Sequence, residues 1–522
     1  MTATLTPRRP GSRAGWRHGF GWQLRAEWTK FRTVRGWVAG MAAAALVTVA
    51  LGLLFAGGMH TTCGEGAIEE RCPVPPTGPS GAAVEDRFYF AHRELTGDGA
   101  ITARLTAMTG IITYPPPGHD QIVSGLVPWA KAGIMIKEST RQGSAYAAMM
   151  LTGRNGVRMQ YDFVHDIPGR AGTVSAKSPR WLRLTRSGGT LTGYESPDGE
   201  RWTKVGTARP AGLPRTVRIG LFVASPGDLT VRAGPFGGSG QVRFTQASGV
   251  FDQVALRGAT SGGAWRGEAV GDDGMRTDWE RYHRPAGVLD AGGTLTVTGS
   301  GDIAPLLQGR GFEGPLNGVA IALIPVIVVA VMFVTGEYRR GLIRTTLLTT
   351  PRRGHILAAK AVVIGGVTFV AALAASAVVL PLGLRVLRAN GNYILPVSSL
   401  TELRVILGAA IFFALTAVLA LALGALFRRG AATTAAIALI VLPYLLAVAA
   451  LPEGAARWLM RLTPAAGFAI LQSVPEYPQV VAHYAPSRGF YPLPPWAGLG
   501  VLAAYTALAL GLAAARLRRR DA

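Results

Sequence analysis

The sequence predicts a multi-domain membrane protein: six transmembrane α-helices plus an extracytoplasmic all-β sandwich inserted between helices 1 and 2. Three observations predict it. Of the 522 residues 49% are hydrophobic and only 16% charged, greasier than a typical soluble chain of that length. Six apolar stretches of about 20 residues, enough to cross a hydrocarbon core, lie at 37–57, 316–335, 361–384, 405–427, 431–451 and 496–515, none with an internal Asp, Glu, Lys or Arg. Between the first two the chain changes to short alternating runs rich in Gly, Ser and Thr, the pattern of strands and turns.

The net charge of +23 would suggest a nucleic-acid partner in a soluble protein, but its placement decides against one. Basic residues crowd into the N-terminal segment 1–36 (Arg8, Arg9, Arg13, Arg17, Arg25, Lys30, Arg32, Arg35), the segment after the second span (Arg339, Arg340, Arg344, Arg352, Arg353, Lys360), the turn at Arg428 and Arg429, and the C-terminal tail. Every second connection is therefore basic, as the positive-inside rule requires of cytoplasmic loops. The expected topology is a multi-pass protein of the bacterial plasma membrane with both termini cytoplasmic and residues 58–315 extracytoplasmic. Loops 385–404 and 452–495 are poorer in Lys and Arg for their length, although Arg385, Arg388, Arg457, Arg461 and Arg488 interrupt them.

Ahead of the first span, Phe20, Leu24, Trp28 and Phe31 recur at helical spacing with Arg25, Glu27, Lys30 and Arg32 around them, which predicts an interfacial amphipathic helix against anionic lipid. The 37–57 span is expected to be a retained signal anchor, because the preceding region is long for a signal peptide and no small-x-small cleavage pattern follows. Residues 58–84 form a Pro/Gly-rich linker, read as a stiff, solvated spacer. Its Cys63 and Cys72 are the chain's two cysteines; on an oxidising side they can form a disulfide or stay free thiols.

Residues 85–315 read as the β-sandwich. Apolar residues alternate in 101–105, 181–185 and 217–223, and turn chemistry separates such runs at Ser187-Gly188-Gly189 and Ser196-Pro197-Asp198-Gly199, where Gly tolerates positive φ and Pro presets the turn. Residues 262–310 either complete the sandwich or form an appendage. Trp129-Ala130-Lys131-Ala132-Gly133-Ile134-Met135-Ile136-Lys137, Trp181-Leu182-Arg183-Leu184 and Ser196-Pro197-Asp198-Gly199 with Trp202 resemble the concanavalin-A-like jelly roll over roughly 85–257. That resemblance implies a two-sheet scaffold whose relatives often bind glycans, so a cell-wall glycan is a candidate ligand.

Residues 316–522 carry spans 2–6 and the cytoplasmic tail. The run Glu337-Tyr338-Arg339-Arg340-Gly341-Leu342-Ile343-Arg344, followed by Pro351-Arg352-Arg353 and Ala359-Lys360, resembles the first cytoplasmic loop of type-2 ATP-binding-cassette (ABC) transporter permease subunits of actinobacterial type. Glu27-Trp28-Thr29-Lys30-Phe31-Arg32 before the first span is similar to the element that family places there. The resemblance implies that these two elements dock on a separate ATPase subunit, with Glu337, Arg339, Arg340, Arg344, Arg352 and Arg353 as the coupling loop and Glu27, Trp28, Lys30, Phe31 and Arg32 on the interfacial helix. Glu337 is placed to pair with Arg340 or Arg344 along one helix face. By the same resemblance, part of 452–495 dips back into the membrane.

No Gly-x-x-x-x-Gly-Lys-Ser/Thr run occurs, so ATP binding is not expected of this chain, and no cofactor or metal-ligand set is expected. Spans free of ionisable residues argue against a proton- or sodium-coupled carrier. The leading expectation is therefore the permease half of an exporter of an amphipathic or lipid-like molecule, working as a homodimer or with a second permease subunit. The alternative is a membrane-anchored glycan sensor signalling through the same ATPase. A glycan-cleaving enzyme would need paired carboxylates, for which Asp272, Asp273, Asp278 and Glu280 beside Trp265, Trp279 and Tyr282 are candidates. Pro325 and Pro443 within spans 2 and 5 are kink positions, usable for gating or passive.

Overall fold

The computed structural model describes residues 14–63, 72–113, 122–232, 239–271, 286–339 and 353–519. Eight α-helices fall in these segments: α1 (Ala14–Thr33), α2 (Arg35–Gly57), α3 (Val319–Arg339), α4 (Arg353–Ala389), α5 (Ser399–Phe427), α6 (Ala431–Ala449), α7 (Glu453–Leu462) and α8 (Pro495–Arg519). Six of them, α2 to α6 and α8, are long and apolar enough to cross a membrane, which makes this a multi-pass membrane protein. All the strands lie between α2 and α3 in the chain.

The β domain is organised by one strand, Phe88–Thr113. Its first half pairs with Thr216–Ala224 and its second half with Arg180–Ser187, while Thr245–Thr260 runs antiparallel along most of its length. The two halves therefore carry two layers. One continues through Lys131–Lys137, Tyr146–Thr152, Val157–Tyr161 and His165–Pro168; the other through Thr190–Ser196 and Thr203–Ala208. The bend between them falls at Gly97 and Gly99, opposite Gly258. Gly97 (φ 78°) and Gly258 (φ 109°) are left-handed, and a Cβ on Gly99 would sit 2.4 Å from the Arg257 carbonyl oxygen, so glycine is what lets these backbones turn together.

Ile101, Leu105, Ile134, Ile136, Met149, Leu182, Leu184, Ile219 and Leu221 fill the space between the layers, the packing of a sandwich. Strands Lys131–Lys137 and Tyr146–Thr152 are buried on both faces. Their second face packs with Phe88, Phe90, Phe163 and Phe222 under a two-stranded ribbon of Val84–Asp86 with Ile303–Pro305. Two fully buried lysines pin that ribbon: Lys137 Nζ donates to Asp86 Oδ2 at 2.8 Å, and Lys131 Nζ pairs with Asp302 and donates to the Ile303 carbonyl at 2.8 Å.

Residues beyond 262 complete the sandwich. Arg266–Val270 pairs with the start of the long strand, and the hairpin Gly287–Ala291/Thr294–Gly299 pairs with Thr245–Thr260. The acidic run Asp272, Asp273, Asp278 and Glu280, with Trp279 and Tyr282, lies outside the described residues. At 196–201 the Asp198 carboxylate accepts the Glu200 and Arg201 amides, which holds it well below the usual carboxylate range; it serves as a turn clasp. The linker is less solvated than its composition predicts, since Gly78 and Ala83 are buried and the Val84 amide donates to the Pro76 carbonyl. Cys63 and Cys72 are joined in a disulfide.

In the bundle, α5 is central, packed against α3, α4, α6 and α8. Its small residues allow the approach: a Cβ on Gly424 would lie 2.6 Å from Val334, the close contact that small residues permit between apolar helices. Two of the helices extend well past the apolar windows of the sequence. α4 has 37 residues and takes in Lys360, Arg385 and Arg388, and α5 starts at the Ser398 cap, taking in Arg404. The loop expected over 385–404 is thus reduced to a short connection, because long basic side chains extend a helix past the apolar core without breaking it.

Between α6 and α8 the chain folds back into the bundle. Amphipathic α7 leads into a 3-10 helix, Pro464–Leu471, every residue of which is buried. Phe468 stacks on Tyr444 at 4.1 Å and meets Phe412 at 4.8 Å, well inside α6 and α5, while the Tyr505 hydroxyl of α8 donates to the Leu462 carbonyl at 2.7 Å.

Candidate functional site at the charged end of the bundle

Five helix ends meet at one end of the bundle: α1, the last turns of α3, α5 and α8, and the start of α4. Arg516 donates to the Leu426 carbonyl at 2.6 Å, and the Arg428 guanidinium lies 5.2 Å from the Tyr338 ring. The β domain is at the opposite end, where the Thr61 amide donates to the Asn390 carbonyl and Gln479 Nε2 to the Phe163 and Val164 carbonyls.

At the charged end four side chains from three helices form one cluster. Lys360 Nζ donates to Glu27 Oε2 at 2.7 Å and to Glu337 Oε1 at 2.7 Å; Lys30 Nζ donates to Glu27 Oε1 at 2.8 Å and Glu337 Oε1 at 3.1 Å. Two carboxylates and two ammoniums alternate, so the cluster is neutral. Lys360, Glu27 and Glu337 are only 2%, 4% and 6% exposed, whereas Lys30 is 37% exposed at the rim. The two carboxylates raise the Lys30 pKa against the opposing effect of its partial burial, so it stays charged. Buried charges persist only when paired in this way.

Aromatic packing frames the cluster. Phe333 of α3 lies 4.7 Å beneath the Lys360 ammonium, an arrangement that stabilises a desolvated cation, and it packs edge-on with Phe31 at 5.8 Å and Trp37 at 5.0 Å. α1 docks through Phe20, Leu24, Glu27 and Phe31, a 3-4 spacing that makes one helix face,. Trp28, expected on that face, is 46% exposed on the helix flank, and Arg32 is exposed as well.

The residues expected to couple divide accordingly. Glu27, Lys30 and Glu337 come together, with Lys360 as their shared partner. Arg339 and Arg353 fall in the last turn of α3 and the first of α4. Arg340, Arg344 and Arg352 lie outside the described residues, so the expected pairing of Glu337 with Arg340 or Arg344 falls outside them too. Glu337 Oε2 is buried with no hydrogen-bond partner among the described residues. Among those residues no group of His, Cys, Asp and Glu could hold a metal ion.

The chain matches no family model and no curated protein. Among solved structures, a functionally unknown protein from Saccharomyces cerevisiae is similar over 39% of this chain and 96% of its own, at 14% identity and TM-score 0.22. Scytalido-glutamic peptidase, solved with a transition state analog inhibitor, is similar over 43% of this chain and 100% of its own, at 8% identity and TM-score 0.25. Scores this low carry no conclusion about this chain.

Proposed function

We propose that this chain is the permease subunit of an ABC-type exporter in a bacterial plasma membrane, moving an amphipathic or lipid-like molecule with energy from a separate ATPase subunit. The observation that carries the reading is the Glu27–Lys30–Glu337–Lys360 cluster. It ties α1 to the adjoining ends of α3 and α4, the place where the sequence resembles the ATPase-docking elements of type-2 permeases. A push on α1 or on the segment after α3 would pass through ion pairs into two spans without deforming apolar packing. The buried 3-10 segment after α7 also fits the inward dip that the same resemblance implies.

In this reading the charged end faces the cytoplasm, the jelly-roll domain is extracytoplasmic, Trp28 and Arg32 contact headgroups of the inner leaflet, and a homodimer or a second permease subunit completes the transporter. The test is co-purification of an ATP-binding-cassette ATPase encoded beside this chain. The wild type is expected to retain it and Arg344→Glu to lose it; retention by the variant overturns the docking assignment.

A further inference from the structure

Between the β domain and the bundle lies a cavity of about 860 Å³, within the range of sites for small molecules. Its floor is the segment joining the sandwich to α3. Its walls come from the disulfide-bearing linker after α2, the α4–α5 connection around Asn392 and the segment before α8 that carries Arg488 and Phe490.

The polar side of the cavity is lined by three arginines, Arg87, Arg310 and Arg488, and four acids, Glu85, Asp86, Asp302 and Glu313. Arg310 Nε makes one long contact, 3.4 Å, to Asn392 Oδ1, and neither Arg310 nor Arg488 has an ion-pair partner among the described residues. Partial burial, then the neighbouring Arg488 charge, push the Arg310 pKa down, as desolvation and a like charge do. None of these acids forms an ion pair with Arg310 or Arg488 among the described residues, and burial, then the Asp302 charge, push the Glu85 carboxyl up to about 7. Asp86 is taken by Lys137 and the Gly143 amide, and Asp302 by Lys131. Glu313 is 9% exposed, its Oε2 has no hydrogen-bond partner among the described residues, and burial pushes its carboxyl up to about 7. It can therefore donate a proton to an anion instead of repelling it. The remaining wall is apolar: Leu229, Leu395, Val480 and Phe490 line it, with Val481 39% exposed beside them.

We propose that this cavity binds an anionic amphiphile, with a phosphate headgroup against Arg310, Arg488 and Glu313 and an apolar chain along Leu395 and Phe490. Guanidiniums match phosphate oxygens in geometry and charge. Thr61 and Asn392, just past the ends of α2 and α4, line the cavity, which puts it beside the level at which a lipid headgroup leaves a bilayer. The inference deepens the export reading, and that the amphiphile is cargo rests on that reading; binding itself needs no ATPase.

The test is native mass spectrometry of the full chain released from nanodiscs containing phosphatidylglycerol or phosphatidylcholine, with inorganic phosphate as competitor. The wild type is expected to retain phosphatidylglycerol selectively and without competition from inorganic phosphate. Arg310→Gln/Arg488→Gln is expected to retain it at least about tenfold more weakly, the loss of charge-assisted contacts to one headgroup. Arg488→Gln alone, an exposed side chain, gives the same direction of change in a chain whose packing is untouched. Equal retention by wild type and both variants overturns the inference, as does displacement by inorganic phosphate alone, which would assign the site to a soluble anion. Both results are independent of whether Arg344→Glu releases the ATPase, so the two readings fail separately.

Discussion

Lys360 Nζ bridges Glu27 Oε2 and Glu337 Oε1 at 2.7 Å each, joining residues 333 and 23 positions apart in the chain. Through it a peripheral helix and two spans share one charge.

Lys360→Met leaves two buried carboxylates with Lys30 as their only described cation. Removing one partner from a buried ion pair costs about 3–5 kcal/mol, and rim-exposed Lys30 offsets part of this, so the thermal midpoint in detergent should fall markedly and protease should cut sooner within α1. Glu27→Gln/Lys360→Met, which keeps the Lys30–Glu337 pair, should lie closer to wild type than Lys360→Met. A double variant at least as unstable as the single one would show that the four groups do not act as a unit.

In the β domain, Lys137 and Asp86 are both fully buried, with Tyr146 and Phe163 5.5 and 5.4 Å from the ammonium. Asp86→Ala strands that cation and should destabilise the domain by about 3–5 kcal/mol, while Asp86→Leu/Lys137→Met should recover much of the loss. Chemical denaturation followed by tryptophan fluorescence distinguishes the two.

Stability should depend on pH through Glu313. Its folded pKa of about 7 stands above the ordinary 4.5, so the folded state holds a proton that the unfolded state releases first. Stability is then highest below about pH 4.5, falls as pH rises towards 7 and is flat above, by at most about 3 kcal/mol for this group. Glu85, also raised to about 7 by burial and by Asp302, contributes in the same direction. Glu313→Gln should therefore flatten the melting-temperature profile between pH 4.5 and 7 in part; an unchanged slope would show that Glu313 ionises normally.

The packing of the buried 3-10 helix Pro464–Leu471 depends on Gly408, where a Cβ would come within 2.4 Å of Ile470. Gly408→Leu should expel the 3-10 helix, with an overpacking cost of about 1–3 kcal/mol or more. Trypsin should then cut sooner at Arg457 and Arg461, while ATPase co-purification persists because the charged end is remote. Unchanged trypsin kinetics would count against the packing described here.

The six apolar runs and the period-2 strands were legible in the sequence because each is a local pattern that burial imposes on consecutive residues. Lys360 was not, beyond its place in a basic run. The apolar window begins one residue later, and nothing local reports that α4 extends back to Arg353 or that a carboxylate from α1 reaches it. Glu27 stood in the sequence within the interfacial helix that resembles a permease docking element, but nothing local gave it a partner; only the docking of Phe20, Leu24 and Phe31 turns it inward. The length of the Phe88–Thr113 strand was hidden because its bend at Gly97 and Gly99 interrupts the alternation. The Glu313 pocket is built from segments that meet only in three dimensions.

Cysteine accessibility tests the central claim most directly, since Cys63 and Cys72 are tied in a disulfide and leave a silent background. With a membrane-impermeant maleimide, Trp202→Cys should label in intact cells, and Arg344→Cys only after the inner face of the membrane is exposed. Labelling of both positions from the same side would contradict the orientation, and with it an ATPase-facing role for the Glu27–Lys30–Glu337–Lys360 cluster.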